Sequence, residues 1–97
     1  MGSVTYSKVS LSDLAEIWDF VAADSAFQAD RLIRRFQTKL DYLAKSNTVG
    51  RPRPELTAKC RSYPVGKFCF YYRPTPDGIE RIRLLHSARD IREIQFH

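Results

Sequence analysis

The sequence of this 97-residue chain has no long hydrophobic run, only two cysteines and only four glycines. No apolar segment approaches the ~20 residues that a membrane-spanning helix needs, and the opening MGSVTYSK lacks the apolar stretch of a secretory signal. We therefore expect a cytoplasmic protein with no membrane contact. The length predicts a single domain, residues 1–97, and hydrophobic residues at 43% suffice for its core.

The scarce residues also exclude several kinds of site. Cys60 and Cys69 are too few for a disulfide framework and lack Cys-x-x-Cys spacing, so we expect free thiols that are buried or half-buried. With only His86 and His97 beside them, we expect no metal site. The glycines are isolated and form no phosphate-binding loop, and there is no Gly-x-Ser-x-Gly elbow. We therefore expect no cofactor.

Positive charge is plentiful, and its excess lies in the second half of the sequence. Residues 1–50 hold six cations and six anions, whereas residues 51–97 hold ten cations and five anions, which accounts for the net charge of +5. Eight of those ten cations are arginines, which favour bidentate contacts with carboxylates and phosphates. The pattern indicates an acidic protein or a nucleic acid as partner, or else a solvated basic face.

Two helices are predicted in the first half, after a short strand in VTYSKV. Ser10-x-x-Asp13 and Ser25-x-x-Gln28 both have the capping-box form that opens a helix. Each helix carries apolar residues at helical spacing, namely Leu14, Ile17, Trp18 and Val21 in the first and Ala29, Leu32, Ile33, Phe36, Leu40 and Leu43 in the second. The short break between them indicates an antiparallel helical hairpin.

The second half has the alternating pattern of β-strands. KFCFYYR places Phe68, Phe70 and Tyr72 on one face and Cys69 and Tyr71 on the other. A strand around KCRSY precedes it across a turn at Pro64-Val65-Gly66, and TPDG forms the turn into the last strand, IERIRLLH. Alternation in that strand predicts one face made of Ile82, Leu84 and His86 and an opposite face made of Arg81, Arg83 and Leu85.

The element order β-α-α-β-β-β predicts an α+β fold. We expect the helical hairpin to pack on one face of a small, mostly antiparallel sheet. The other face of the sheet is then expected to be free for the arginines.

One candidate site lies in LLHSARDI, where His86 ends the last strand. A catalytic interpretation is RNA cleavage through the 2′-hydroxyl, with His86 as general acid or base and with Arg61, Arg81 and Arg83 stabilising the phosphate. The alternative is a strand-end histidine with one ring nitrogen hydrogen-bonded to the backbone. For Arg89 and Asp90 the alternatives are an ion pair or cap that fixes the tail, and direct contact with a partner.

A second candidate site consists of aromatic residues outside the helical stripes, Phe20, Phe27 and Tyr42. Exposed aromatics on a helical hairpin suit a partner helix, although these three could instead pack between the helices or over the sheet edge. Together with an arginine-rich half, they would suit a partner that is amphipathic and acidic.

Four segments, in order, resemble the ParE toxins of bacterial type II toxin–antitoxin systems, within the RelE/ParE superfamily. The segments are SLSDLAEIWDFVAADSAFQADRLI, VGRPRPEL, KCRSYPVGKFCFYYR and GIERIRLLHSARDI. The resemblance covers nearly the whole chain and implies a RelE/ParE-like fold.

The resemblance also implies a growth-inhibiting toxin that binds DNA gyrase and catalyses no reaction. A ParD-type antitoxin would neutralise it with an acidic, partly disordered segment, and operator DNA would be bound only through that antitoxin. The target-binding candidates are Arg61, Arg81, Arg83, His86 and Arg89. The antitoxin-binding candidates are Phe20, Phe27, Tyr42, Arg51 and Arg53.

The RelE branch of the superfamily implies a different activity, ribosome-dependent cleavage of mRNA. Relatives of that kind commonly have a tyrosine or histidine near the C-terminus among basic residues. No tyrosine follows Tyr72 in this chain, and His86 belongs to the ParE-like ending. The RelE-type endonuclease is therefore the alternative hypothesis, and a homologue that only binds an antitoxin is the third.

Overall fold

The computed structural model describes residues 2–94 and residue 96, so His97 lies outside the described residues. Its elements, in chain order, are β1 (Ser3–Tyr6), α1 (Lys8–Ala22), α2 (Ala26–Lys45), β2 (Arg51–Pro52), β3 (Arg61–Val65), β4 (Phe68–Thr75), β5 (Gly78–His86) and a 3-10 helix (Ile91–Glu93). None of the helices in this part of the chain is long and apolar enough to cross a membrane.

The strands form one mixed sheet in the order β1-β5-β4-β3-β2. Only β1 and β5 are parallel, and every other neighbouring pair is antiparallel. The helical hairpin packs on one face of this sheet, so the predicted α+β class is confirmed. The additional strand β2 has two residues, too few for an alternating pattern to reveal it.

Helix α2 is the best-predicted element. Ser25 caps it by accepting a hydrogen bond from the Gln28 backbone N–H at 3.2 Å, so the second capping box begins where we predicted. The predicted apolar stripe faces the sheet, and its Phe36 ring meets the rings of Phe68 and Phe70 edge to face. The principal core therefore lies between α2 and strands β4 and β5.

Helix α1 begins three residues earlier than predicted. Its cap is Ser7, whose Oγ accepts from the Ser10 N–H at 3.0 Å and donates to the Ile82 carbonyl at 2.7 Å. The Ser10-x-x-Asp13 capping box is therefore wrong, and both of its polar residues are buried against β5. Trp18 belongs to the predicted buried stripe but is 37% exposed, and its Nε1 donates to Asp30 Oδ1 of α2 at 3.5 Å.

The two hairpins of the sheet depend on glycines. The first turn is Gly66–Lys67, with Gly66 at φ 59°, and not the predicted Pro64-Val65-Gly66, since Pro64 and Val65 still pair with β4. The turn at TPDG is where we predicted it. Any side chain at Gly78 would clash, because its Cβ would lie 1.9 Å from the Ser3 carbonyl oxygen.

The predicted alternation holds in β4 but fails in β5. A bulge at Ile82 lets Tyr71 pair with Arg83 and Tyr72 with Arg81, so Ile82 has no opposite residue. One inserted residue reverses the faces, and Ile82 then packs with Leu85 on the side away from the helices. The predicted grouping of Ile82 with Leu84 is therefore wrong.

The second face of the sheet is covered and not free for arginines, which corrects another prediction. Cys60, Cys69, Tyr71, Ile82, Leu85 and Phe96 form a buried apolar cluster there, flanked by Leu56, Ile91 and Ile94. The C-terminal segment thus packs across this face. Both cysteines are buried free thiols, as we predicted. Burial raises the pKa of Cys60 to about 11 and raises that of Cys69 as well.

Candidate functional site

Arg81 is a candidate for target binding, but its side chain is buried inside the domain. It is 1% exposed, and its guanidinium donates from Nε to Ser10 Oγ and from Nη2 to the Ser10 carbonyl at 3.3 Å. The same guanidinium lies 4.7 Å from the centre of the Tyr6 ring. Burial lowers the pKa of Arg81 to about 10, so it stays charged at neutral pH. The expectation that Arg81 is displayed on a surface is wrong.

Arg83 is paired with a carboxylate of α1. Its Nε and Nη2 donate to the two oxygens of Asp13 at 2.8 and 2.9 Å, and the Leu84 N–H donates to the same carboxylate at 3.0 Å. The hydrogen bond from Asp13 raises the pKa of Arg83 above its ordinary value. This contact attaches α1 to the part of β5 that extends past its pairing with β1. The Arg83 guanidinium is therefore held against α1 and is not displayed on the surface for a partner.

Arg61 holds the connection between α2 and β2. Its Nη1 donates to the carbonyls of Thr48 at 2.9 Å and Gly50 at 2.7 Å. The neighbouring Tyr72 hydroxyl accepts from the Gly50 N–H at 2.9 Å and donates to Asn47. These bonds satisfy the backbone of a loop that would otherwise bury unpaired polar groups. Arg61 therefore stabilises the loop between α2 and β2.

His86 and Arg89 are the two target-binding candidates that lie at the surface. His86 ends β5, its Nδ1 accepts from the Ala88 N–H at 3.1 Å, and its ring meets Phe68 at 5.4 Å. The strand-end interpretation of His86 is thus confirmed. Arg89 is exposed, while Asp90 caps the 3-10 helix and pairs with Arg92 at 2.9 Å. Asp90 thus forms a cap, but its ion pair is with Arg92, two residues away in the tail, and neither contact reaches the sheet as we predicted.

The residues of the alternative catalytic set, His86, Arg61, Arg81 and Arg83, do not lie close together. Five positions separate His86 from Arg81 along β5, which is about 17 Å of strand. Arg81 and Arg61 lie on either side of Tyr72 at the opposite end of the hairpin, where both are bonded within the fold. A general acid or base must be within hydrogen-bond reach of the atoms it serves. These four residues therefore do not surround one position.

The three aromatic antitoxin-binding candidates are exposed, which is one of the two alternatives that their positions off the stripes left open; the Tyr42 ring also lies 6.3 Å from the Tyr63 ring of β3. Phe20 is 81% exposed, Phe27 64% and Tyr42 46%. They do not form one patch, since Phe27 and Tyr42 lie about 22 Å apart along α2. Their contact with an antitoxin stays a prediction.

The two arginine candidates of the linker differ in accessibility. Arg51 is exposed in β2 at the edge of the sheet. Arg53 pairs with Glu55 at 2.7 Å and lies 5.9 Å from the centre of the Tyr71 ring. The hydrogen bond to Glu55 raises the pKa of Arg53. The Arg51 guanidinium is therefore more accessible to a partner than that of Arg53.

Phe20 and His86, to which we assigned different roles, line the same groove. This groove, called here the His86 groove, has a volume of about 410 Å³ and is lined by Glu16, Ile17, Phe20, Val21, Lys67, Phe68 and His86. We did not single out Val21, Lys67 or Phe68 as surface residues. Lys67 could have been found, because lysine is almost never fully buried unless it is paired.

The architecture is that of a small α+β domain with surface grooves and no converged catalytic group in residues 2–94 and 96. A family model described as "ParE toxin of type II toxin-antitoxin system, parDE" matches residues 4–91. The chain therefore belongs to the ParE toxin family, as its sequence motifs suggested.

Solved structures and curated proteins give further comparisons. Ten chains of solved structures match. One of them, from a structure entitled "Chromosomal ParDE TA system from P. aeruginosa", is 19% identical with a TM-score of 0.71, covering 89% of this chain and 96% of that chain. At that identity the likeness concerns the fold. No match was found among curated proteins.

Proposed function

We propose that this ParE-family toxin inhibits DNA gyrase by binding to it and catalyses no reaction, and that a ParD-type antitoxin neutralises it. The observation that carries the proposal is the family match over residues 4–91, which includes the His86-Ser87-Ala88-Arg89-Asp90-Ile91 ending. Gyrase acts on chromosomal DNA, so the proposal also locates the toxin in the cytoplasm.

The contacts of the arginines support binding over catalysis. Cleavage of RNA needs cations that reach the phosphate while charge develops on it. Arg61, Arg81 and Arg83 are instead bonded to backbone carbonyls, to Ser10 and to Asp13. Releasing any of them would leave buried polar groups unpaired, which costs about 1–3 kcal/mol for each group.

A supercoiling assay tests the gyrase proposal. Purified gyrase, ATP and relaxed plasmid are incubated with increasing amounts of the toxin, and cleaved DNA is trapped with detergent and protease. We expect supercoiling to be blocked and linear DNA to accumulate at stoichiometric toxin. Adding the purified antitoxin should restore activity. Normal supercoiling with a tenfold excess of folded toxin would overturn the proposal.

The RelE-type alternative rests on one observation, the exposed imidazole of His86. A reconstituted translation reaction with defined mRNA separates the two functions. An endonuclease would leave cut mRNA, and His86→Ala would abolish the cuts. We expect intact mRNA with both the wild-type toxin and the variant.

Two further expectations concern binding of the antitoxin and binding of operator DNA. The toxin and antitoxin should elute together in size-exclusion chromatography, and operator DNA should shift in a gel with the complex but not with the toxin alone. Growth after induced expression tests the inactive-homologue hypothesis, since unimpaired growth without antitoxin would favour it.

A further inference from the structure

Many arginines in the second half of the chain are already bonded within the domain. Several of them pair with carboxylates, namely Arg53, Arg73, Arg83 and Arg92. Arg61 and Arg81 are hydrogen-bonded within the fold. The excess of arginine in this half therefore does not locate the cations that a partner can reach.

Helix α2 carries a row of cations on its surface. Phe27, Arg31, Arg35 and Lys39 follow one another at four-residue spacing, so their side chains lie one above the other along the helix. At ~100° per residue, these four and Tyr42 lie within an arc of ~120°. Lys39 is half-buried and the other four are exposed. We call these five residues the α2 row.

The cations of the α2 row have no carboxylate partner in residues 2–94 and 96, since none of the three takes part in an ion pair there. The two carboxylates of α2 itself, Asp30 and Asp41, lie outside the arc. They accept hydrogen bonds from Trp18 Nε1 at 3.5 Å and from Gln37 Nε2 at 3.0 Å. Helix α2 therefore separates its positive and negative charges onto different sides.

Aromatic rings lie at both ends of the α2 row. At one end, the Arg31 guanidinium carbon is 5.9 Å from the centre of the Phe27 ring, a cation–π contact. At the other end, the centre of the exposed Tyr42 ring is 6.3 Å from that of the half-buried Tyr63 ring of β3. The row therefore presents its cations between two aromatic surfaces.

We propose that the α2 row binds a single-stranded nucleic acid, with phosphates facing its cations and with bases stacked on Phe27 and Tyr42. Successive cations are one helical turn, or about 6 Å, apart, which is close to the separation of successive phosphates in an extended strand. Every base has a face that can stack on a ring, so such a site binds without sequence preference. This activity goes beyond the proposed function, because neither gyrase nor an antitoxin enters the argument.

The residues of the arc favour a nucleic acid over an acidic polypeptide. The remaining side chains within the arc are Gln28, Thr38 and Lys45, and all three are polar. Without an aliphatic surface, an amphipathic peptide gains little from burying its apolar side chains here. The exposed rings are instead separated by cations, which is the arrangement that stacked bases and phosphates need.

The rings also favour a single strand over a duplex. Duplex DNA keeps its bases stacked on one another and offers its phosphates alone to the cations, whereas a single strand offers both phosphates and base faces. The toxin alone should therefore leave duplex operator DNA unshifted while it binds a single strand.

The test uses the full-length toxin and fluorescent oligonucleotides of about 12 nucleotides. The probes are a dT strand, a U strand, the dT·dA duplex and a polyglutamate peptide, and binding is followed by fluorescence anisotropy. We expect both single strands to bind more tightly than the duplex or the peptide. Comparison of the dT and U strands then shows whether DNA or RNA is preferred. Three neutralised phosphates predict that log K falls against log salt with a slope of about −2.

Matched charge variants locate the site. Arg31→Ala with Arg35→Ala should weaken the dT strand about tenfold at low salt and reduce the slope to about −0.7, since one cation of the row remains. Lys8→Ala with Lys59→Ala removes the same net charge from exposed positions outside α2, and it should leave the slope unchanged and the affinity within about twofold. Circular dichroism establishes that both double variants fold.

Ring variants test stacking. Phe27→Ala and Tyr42→Ala should each weaken the dT strand about tenfold, whereas Tyr42→Phe should retain the affinity, because stacking needs the ring and not the hydroxyl. Leu11→Ala removes an apolar side chain of α1 that is 50% exposed, and it should change the affinity by less than about twofold.

Four results would overturn the inference. They are no binding of either single strand, tighter binding of the duplex or of polyglutamate than of the single strands, equal losses in the two charge variants, and unchanged affinity in both alanine variants of the rings. None of these results depends on gyrase. A toxin that blocks supercoiling but ignores the oligonucleotides refutes this inference alone, and a toxin that binds them but spares gyrase refutes the proposed target alone.

Discussion

The contact between Asp13 and Arg83 provides the sharpest test of how this fold is held together. The two side chains are only 7% and 12% exposed, and the carboxylate accepts three hydrogen bonds, two from Arg83 and one from the Leu84 backbone. Asp13→Ala removes all three acceptor contacts and leaves a buried guanidinium without this partner. Loss of one member of a buried pair costs about 3–5 kcal/mol.

That loss is a large part of the stability of a small domain, which is about 5–15 kcal/mol. With a urea dependence near 1.5 kcal/mol per molar, the unfolding midpoint should fall by roughly 2–3 M. Circular dichroism during urea titration measures it. Asp13→Asn keeps an oxygen for the Leu84 N–H and should lose about half as much.

Asp19→Ala is the matched control, because Asp19 is an exposed carboxylate on the same helix. It should change stability by less than about 0.5 kcal/mol. A double-mutant cycle of Asp13→Ala with Arg83→Met should give a coupling energy above about 1 kcal/mol. A loss under about 1 kcal/mol for Asp13→Ala, or a coupling near zero, would refute the argument that this pair attaches α1 to β5.

Predictions for three further residues follow from other contacts and from burial. Gly78→Ala should detach β1, because the new Cβ would lie 1.9 Å from the Ser3 carbonyl oxygen; rapid amide exchange across β1 would report this, and unchanged protection would contradict it. Tyr72→Phe should cost about 1–3 kcal/mol in urea unfolding by leaving the Gly50 N–H unpaired, and a loss under about 0.5 kcal/mol would contradict that role. Burial raises the pKa of Cys60 from 9.0 to about 11, so iodoacetamide at pH 8 should modify it roughly 100-fold more slowly in the folded protein than in urea. Since this pKa is higher in the folded state, its stabilising contribution should be complete below pH 9 and be lost as the pH rises towards 11, and a variant Cys60→Ala should show a smaller decline.

The elements predicted best are those whose signal is local. The stripe of α2 runs from Ala29 to Leu43 in a helix of 20 residues, and the alternation in β4 is visible within the segment KFCFYYR alone. Ser25 and Gln28 form a cap that depends on neighbours in sequence. In each case the residues that decide the structure lie within one element, so a single sequence suffices to predict it.

The failures have a different cause, because they depend on residues far apart in the chain. Ser10 and Asp13 resembled a cap, yet they face Arg81 and Arg83, which are about 70 positions later. Their helical spacing with Ile17 could have marked them as inward-facing polar residues. The Ile82 bulge has no signature in a strand where apolar and basic residues both alternate.

The candidate site was predicted only in part. The exposed aromatics were found because the helical period excludes Phe20 and Phe27 from the core stripes. The arginines were misjudged, since net charge records how many there are and says nothing of which ones the fold uses.

Phe20 and His86 line one groove, so a macromolecule bound there would cover both side chains at once. If His86 contacts the target and Phe20 contacts the antitoxin, as the sequence suggested, the two partners would compete for the toxin, and a ternary complex through this groove would not form.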